Sequence, residues 1–123
     1  MSSTSTTFVG SLTHDPEIKF LSNTSVVKFS VAVNRKRKDE EIVSFFDCEA
    51  WGSLAENAAN CLKKGDRIIV TGELKQDRYE VEGKKRSAVV VVAEAIGPDL
   101  RFATAAPQKQ VAGQKPTKSE DAF

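Results

Sequence analysis

The alternation of apolar and polar residues along the chain predicts short β-strands. A strand is predicted at residues 26–35, where every second residue from 27 to 33 is Val or Phe and the residues between them are polar or small, which is typical of a strand with one buried face. Further strands are predicted at residues 6–12, 17–21, 42–51, 67–75 and 87–95, with a hairpin at 76–86 and a last segment at 100–104. Gly10 marks a bend or a close backbone approach, and Gly72 marks a bend.

A single short helix is predicted between the strands at 42–51 and 67–75. Its apolar stripe consists of Leu54, Ala58, Cys61 and Leu62. Ser53 is expected as the N-cap, with Glu56 at capping-box spacing, and Gly65 as the residue after the helix. This order predicts an all-β domain: a five-stranded OB-fold Greek-key barrel with one short helix between strands 3 and 4. Periodicity alone also permits another small barrel.

Composition places the chain among single-domain globular proteins. It has 123 residues, 40% of them hydrophobic and 28% charged, and no apolar run approaches the roughly 20 residues that cross a bilayer. The first residues lack the basic and apolar regions of a secretory signal, so a cytoplasmic location is expected. The domain is predicted at residues 1–106, followed by a disordered tail at 107–123 that is rich in Pro, Gly, Gln and Lys.

The chain offers little for catalysis or for metal binding. Cys48 and Cys61 are too few for a zinc site and are expected to be reduced residues of the core. The one histidine, His14, lies in a predicted turn without a catalytic partner, and the sequence has no Gly-rich phosphate loop. Neither an enzymatic activity nor a metal or other cofactor is expected.

Positive charge is concentrated in two runs, although the formal net charge is only +1. The first run is Arg35, Lys36, Arg37 and Lys38 at the end of a predicted strand, and the second is Lys84, Lys85 and Arg86 in the predicted hairpin. A run of cations at the end of a barrel strand suits contact with phosphates, and an ordinary solvated loop is the alternative.

Two aromatic residues lie on the polar face of the strand at 42–51. Phe45 and Trp51 are six residues apart, so both are expected on the side that also carries Asp47 and Glu49. Rings in this position are expected to contact a ligand or another subunit. The other phenylalanines alternate with polar neighbours and are predicted to be core residues: Phe8, Phe20, Phe29, Phe46 and Phe102.

Segments spread over residues 7–103 resemble the bacterial single-stranded DNA-binding proteins. They are residues 8–12 (FVGSL), 15–17 (DPE), 29–35 (FSVAVNR), 45–56 (FFDCEAWGSLAE), 62–66 (LKKGD) and 70–74 (VTGEL). The resemblance implies an OB-fold, usually assembled as a homotetramer, that coats single-stranded DNA without sequence preference in replication, recombination and repair. It also implies a cytoplasmic protein associated with the nucleoid.

The resemblance further implies roles for individual residues. Base-stacking aromatics of the family match Phe45 and Trp51, and a third matches Tyr79, for which cross-strand packing is the alternative. With the neighbouring cations, the expected DNA-binding residues are Arg35, Lys36, Arg37, Lys38, Phe45, Trp51, Lys75, Arg78, Tyr79, Lys84, Lys85 and Arg86. We expect each ring to stack on a base and each cation to contact a phosphate.

The last residues resemble the acidic, Phe-ended tip with which the family recruits partner proteins. This tip is Glu120, Asp121, Ala122 and Phe123, and its expected partners are replication and repair proteins. Its composition suits an apolar pocket with a basic rim. Ordinary terminal disorder with a chance Phe is the alternative.

Two departures from the family pattern bear on the predicted site. Family members commonly carry a further aromatic after the second strand, and residues 35–41 contain none. Glu49 stands where the family usually has an apolar residue. A carboxylate on the ring-bearing face repels phosphate, unless it pairs with a cation or the strand's path keeps DNA away from it.

An assembly protein with the same fold, such as a primosome subunit, is the alternative function. It would use the aromatic face for protein contacts. Preferential binding of a protein partner over bare single strands would favour this alternative.

Overall fold

Six strands and one helix make up the domain in the computed structural model, which describes residues 4–110. The elements are β1 (Ser5–Leu12), β2 (Glu17–Phe20), β3 (Ser25–Arg37), β4 (Glu40–Trp51), α1 (Ser53–Cys61), β5 (Arg67–Val81) and β6 (Lys84–Pro98). Residues 103–110 form neither helix nor strand. The predicted last segment at 100–104 lies in a turn and in chain without strand pairing, because the chain turns immediately after β6.

Five of the strands close into a barrel. β1 pairs with both β3 and β5, β5 pairs with β6, and β3 pairs with β4, all antiparallel. The ring is completed by a short parallel pairing between β4 and β6, which joins Cys48 to Val91 and Glu49 to Val92. β2 pairs with β3 alone among the described strands and lies outside the ring. The prediction of a five-stranded barrel with its helix between barrel strands 3 and 4 is confirmed.

The barrel interior is filled by the inward-facing residues of its strands. The largest fully buried side chains are Ile68, Val27, Val31 and Val70. Cys48 is also buried, as predicted, and its burial, assisted by the charge of Asp47, raises the pKa of the thiol to about 12. This cysteine is therefore a neutral core residue at physiological pH.

Helix α1 closes one end of the barrel with Ala55, Ala58 and Leu62 in the core. Its predicted caps are wrong. Gly52, at φ 67°, is the N-cap, and its carbonyl accepts a hydrogen bond from the Glu56 N–H (3.1 Å), so Ser53 is already helical and makes no capping bond. The chain becomes extended at Leu62, and Gly65 occupies a later turn in which its N–H donates to the Leu12 carbonyl (2.8 Å).

Two glycines allow neighbouring strands to approach closely. A Cβ atom at Gly10 would overlap the carbonyl of Ala32, and one at Gly72 would overlap the carbonyl of Val92. A register shift opposite Thr71 and Gly72 leaves Glu94 of β6 without a partner in β5, which is a β-bulge beside the second of these points. The close approach predicted at Gly10 is confirmed, and Gly72 makes a close approach of the same kind; the bend predicted at Gly72 stays a prediction.

Several residues predicted to be core lie at the surface. Phe20 is 73% exposed because β2 lies outside the ring, and Phe46, which contacts the ring of Phe8 (5.2 Å between centroids), is 41% exposed. Cys61 is exposed because it ends the helix. Phe102 is 72% exposed because it lies beyond the last strand; the core assignment holds for Phe29, and Phe8 packs against the core.

An ion-pair cluster fixes the chain where it leaves the barrel. Asp99 is 4% exposed and accepts hydrogen bonds from Arg67 Nε (3.0 Å) and from the backbone N–H (3.1 Å) and guanidinium (2.8 Å) of Arg101. The two guanidinium groups lie 5.4 and 5.3 Å from the centre of the Phe102 ring. Phe102 was predicted to be buried. Cation–π contacts with Arg67 and Arg101 instead hold its ring at the surface.

The Asp99 cluster makes the stability of the barrel depend on pH. Hydrogen bonds, first from Arg101 and then from Arg67, hold the pKa of Asp99 well below its ordinary value of 3.8. A carboxyl group with a lowered folded-state pKa stabilises the fold fully above its unfolded pKa and loses this effect as the pH falls through the folded one. We expect Asp99→Asn to lower the free energy of unfolding at pH 7 and the gap from wild type to narrow below about pH 4.

Chemical denaturation of both proteins between pH 2 and pH 7 measures this gap. Asp39→Asn, in the exposed turn between β3 and β4, is the control. A gap that stays constant down to pH 2 would show that the charge of Asp99 does not stabilise the barrel.

Candidate nucleic-acid interface

Phe45 and Trp51 lie on the outer face of β4. Cys48 and Ala50 point into the barrel core, so the alternating residues point outward. Phe45 is 65% exposed and Trp51 is 42% exposed. The structure thus places both rings on one face, and this face is accessible to a ligand.

Glu49, between these rings, is paired with a cation. Although it shares the outer face, Glu49 is only 4% exposed. Its Oε1 accepts a hydrogen bond from Lys75 Nζ (2.7 Å) and another from Trp51 Nε1 (3.2 Å). The hydrogen bond to Glu49 is the main cause of a raised pKa at Lys75, whose Nζ also lies 3.4 Å from Asp77 Oδ1.

Two hairpin arms continue past the barrel: the outer part of the β3–β4 hairpin and the outer part of the β5–β6 hairpin. Tyr79 extends the same face onto the second of these arms. The β5–β6 hairpin continues past the barrel, and Lys75 and Tyr79 have the same parity on β5. Tyr79 is 50% exposed and lies opposite Arg86 on β6. Because Lys75 contacts Glu49, this face is continuous with the face that carries Phe45 and Trp51. We call the combined surface of Phe45, Trp51 and Tyr79 the aromatic face.

Strand alternation divides the first cationic run between two faces. Arg35, Lys36 and Arg37 belong to the end of β3, and Lys38, at φ 57°, lies in the turn to β4. Lys36 shares parity with the outward residues of β3, whereas Arg35 and Arg37 have the opposite parity. In the β3–β4 register, Lys36 lies opposite Glu41 and Arg37 opposite Glu40. Two charges of this run therefore face carboxylates across the hairpin.

The second run is divided in the same way. Lys84 and Arg86 share the parity of the aromatic face, whereas Lys85 and Arg78 lie on the other side of the β5–β6 hairpin. Lys85 is opposite Glu80, but Lys84 is opposite Val81 and Arg86 is opposite Tyr79. Lys84 and Arg86 are consequently exposed cations beside a ring and without a carboxylate across the strand pair.

A cleft of about 540 Å³ lies beside the turn between β1 and β2 and is lined further by residues of β3, β4, β5 and β6. Its ionisable lining consists of His14, Asp15, Glu17, Lys28, Asp47, Glu49 and Asp77. Carboxylates outnumber lysines in this set, so the floor of the cleft repels phosphate, whereas the cations on the arms attract it. The electrostatics thus favour phosphates along the arms and disfavour them over the cleft floor.

Sequence reasoning missed the contact between Glu49, Trp51 and Lys75. The shared parity of Glu49 and Trp51 was visible in the sequence, and it indicated that they are neighbours on one face. Lys75 is 26 residues from Glu49 along the chain. Only the parallel β4–β6 pairing brings them together, and no local pattern predicts that register.

Other predicted features can be located more briefly. The predicted partner-binding tip, Glu120, Asp121, Ala122 and Phe123, lies outside the described residues. Among residues 4–110, no three His, Cys, Asp or Glu side chains are grouped so as to hold a metal ion. No helix in this same range has the length and apolar character needed to cross a membrane.

The barrel is small and closed, and the outer faces of its strands carry exposed aromatic rings and cations. These features define the class of oligonucleotide-binding barrels. The family model described as "Single-strand binding protein family" matches residues 3–99. The chain therefore belongs to the single-strand binding protein family.

Individual relatives agree with this assignment. The chain is 44% identical over 111 residues to the single-stranded DNA-binding protein of Mycobacterium leprae, a match that covers 83% of this chain and 66% of that protein. It is 45% identical over 112 residues to the one of Mycolicibacterium smegmatis, covering 83% of this chain and 67% of that one. The chain thus spans about two thirds of the length of these relatives.

A solved structure shows the same fold. The second single-stranded DNA-binding protein of Mycobacterium smegmatis superposes with a TM-score of 0.71 at 32% sequence identity, and the match covers 88% of this chain and 100% of that one.

Proposed function

We propose that this protein binds single-stranded DNA without sequence preference, by stacking bases on the aromatic face and contacting phosphates with lysines and arginines of the two arms. The observation that carries the proposal is the exposure of Phe45, Trp51 and Tyr79 on one continuous outer surface. Rings accept any base because every base has a π-face. The protein acts by binding, without catalysing a reaction, and its place is in replication, recombination and repair in the cytoplasm, at the nucleoid.

Electrostatics alone would not supply this binding. The net charge is +1, and several cations of the arms face carboxylates, so long-range attraction to DNA is weak. Each base stacked on a ring contributes about 1–3 kcal/mol, and three rings on one surface supply most of the expected affinity. Stacking requires free base faces, so single strands are preferred over duplex DNA.

Titration of the intrinsic Trp51 fluorescence with a homopolymeric oligonucleotide tests the proposal directly. Single strands should quench the emission and bind much more tightly than a duplex of equal length at the same salt concentration. Equal affinity for the duplex would contradict the proposal. Absence of binding to either form, with capture of a protein partner by the same face, would support the assembly-protein alternative.

Removal of single rings should weaken binding without changing its salt dependence. We expect Phe45→Ala, Trp51→Ala and Tyr79→Ala each to cost about 1–3 kcal/mol of binding free energy, because one stacked base is lost and no phosphate contact is lost. Fluorescence anisotropy of a labelled oligonucleotide measures both quantities for all three variants. Phe20→Ala is the control, since Phe20 is an exposed ring (73%) that lies on β2, away from the aromatic face. Wild-type affinity in all three variants would reject the assigned surface.

Removal of the cations should act mainly on the salt dependence. We expect Lys84→Ala and Arg86→Ala each to reduce the slope of log K against log salt by roughly 0.7, the value for one phosphate contact on a single strand. Lys85→Ala is the control within the same run, because Lys85 lies on the other side of the hairpin opposite Glu80. Equal effects of all three substitutions would show that strand alternation does not select the contacts.

We also propose that the protein assembles as a homotetramer. Apart from the aromatic face, large apolar side chains remain exposed, among them Leu74, Val89 and Leu100. Leu74 and Val89 lie on the same side of the paired strands β5 and β6, and an exposed apolar patch of this kind suits a subunit contact. Light scattering at micromolar concentration tests the assembly, and a monomer mass would exclude it.

The tip at residues 119–123 is proposed to recruit replication and repair proteins. Its carboxylates and its Phe suit an apolar pocket with a basic rim. Removal of these five residues should leave single-strand affinity unchanged or slightly higher and abolish recruitment. Identical partners in pull-downs with full-length and shortened protein would reject this role.

A further inference from the structure

We infer that Glu49 is a positioning residue of the aromatic face: its buried carboxylate orients the Trp51 indole and retains the Lys75 ammonium, so that Lys75 does not contact phosphate. This inference rests on the proposed single-strand binding and assigns a role within the same surface. It also changes the expectation for Lys75, which the sequence alone placed among the phosphate-binding residues.

The hydrogen bonds of Glu49 restrict the position of the ring. One oxygen, Oε1, accepts from both Trp51 Nε1 (3.2 Å) and Lys75 Nζ (2.7 Å). Trp51 is 42% exposed, so packing alone leaves much of the indole unsupported. A fixed indole N–H holds the ring in one orientation before a base arrives. Less side-chain freedom is then lost when the base stacks.

Burial of the carboxylate explains why Lys75 stays in place. The side chain of Glu49 is 6% exposed, whereas that of Lys75 is 44% exposed. Movement of the ammonium to a phosphate would leave a buried carboxylate without its cation. Breaking a buried pair in this way is strongly unfavourable, whereas a phosphate contact at the surface is exposed to water and weakened by salt. Lys75 is therefore retained by Glu49 when DNA binds.

The other charges around this pair do not replace it. Asp77 Oδ1 lies 3.4 Å from Lys75 Nζ and adds a second carboxylate on the same side. Lys28 is directly opposite Glu49 in the β3–β4 register and is exposed. The Asp77 side chain is 47% exposed, so solvent screens its attraction for Lys75, and a released Lys75 ammonium is accessible to phosphate.

Neutral substitution of Glu49 should release Lys75. We expect Glu49→Gln to steepen the salt dependence of single-strand binding by roughly 0.7, because Lys75 becomes one additional phosphate contact. The double variant Glu49→Gln with Lys75→Met should return to the wild-type slope. Asp47→Asn removes the same charge from the same face of β4 without touching Lys75, and it should keep the wild-type slope.

These slopes decide the role of Lys75 in every case. A wild-type slope in Glu49→Gln would overturn the inference, and so would a steeper slope that persists in the double variant. If Glu49→Gln alone fails to fold, the double variant, which has no charge at either member of this pair, is decisive. A double-variant slope that is lower than wild type by roughly 0.7 would show that Lys75 already contacts phosphate.

Trp51 provides a readout that does not depend on DNA. Because the sequence contains one Trp, the protein gives a single indole N–H signal in NMR. In the wild-type protein, the indole proton of Trp51 should exchange with solvent more slowly than that of a free indole. In Glu49→Leu, this exchange should be faster and the fluorescence emission of Trp51 should shift to the red. Free-indole exchange in wild type would overturn the positioning role. Absence of single-strand binding by wild type would instead overturn the proposed function, and the Trp51 exchange would still decide the positioning.

Discussion

The short parallel pairing between β4 and β6 is the constraint on which the rest of the structure depends. It joins only Cys48 to Val91 and Glu49 to Val92, but it closes the sheet into a ring. The same contact brings β5, hydrogen-bonded to β6, beside the outer face of β4. Lys75 can therefore reach Glu49, and the ring of Tyr79 belongs to the same surface as those of Phe45 and Trp51.

Strand length explains why the charged runs lie where they do. β1 has 8 residues, whereas β3, β4, β5 and β6 have 12–15 and continue past the barrel. Their extra residues form two hairpin arms whose side chains are exposed on both sides. Strand alternation then sorts a continuous run of cations into two sets, of which only one faces the rings. Lys84 and Lys85 are neighbours in sequence but lie on opposite sides of one arm.

The sequence predicted what depends on local patterns and missed what depends on distant pairing. The outward placement of Phe45 and Trp51 followed from strand parity, and the glycine contacts followed from the absence of a side chain. The exposure of Phe20 and Phe102 was missed because parity shows which residues share a face but not whether another strand covers that face. The N-cap of the helix was predicted at Ser53, one residue too late, because the turn at Gly52 needs no side-chain cap. The family resemblance carried no information on this capping residue. The partner of Glu49 lay beyond any local pattern.

The charge balance of the aromatic face bears on how a nearly neutral protein can bind a polyanion. Around Trp51, Glu49 and Asp77 outweigh Lys75, whereas Arg86 lies opposite Tyr79 and Lys84 lies further along the arm. On the proposed function, phosphates are attracted at the Tyr79 end of the aromatic face and repelled by the carboxylates near Trp51. This difference in charge orients the strand with its bases toward the aromatic face and its phosphates outward, without any contact that depends on base identity.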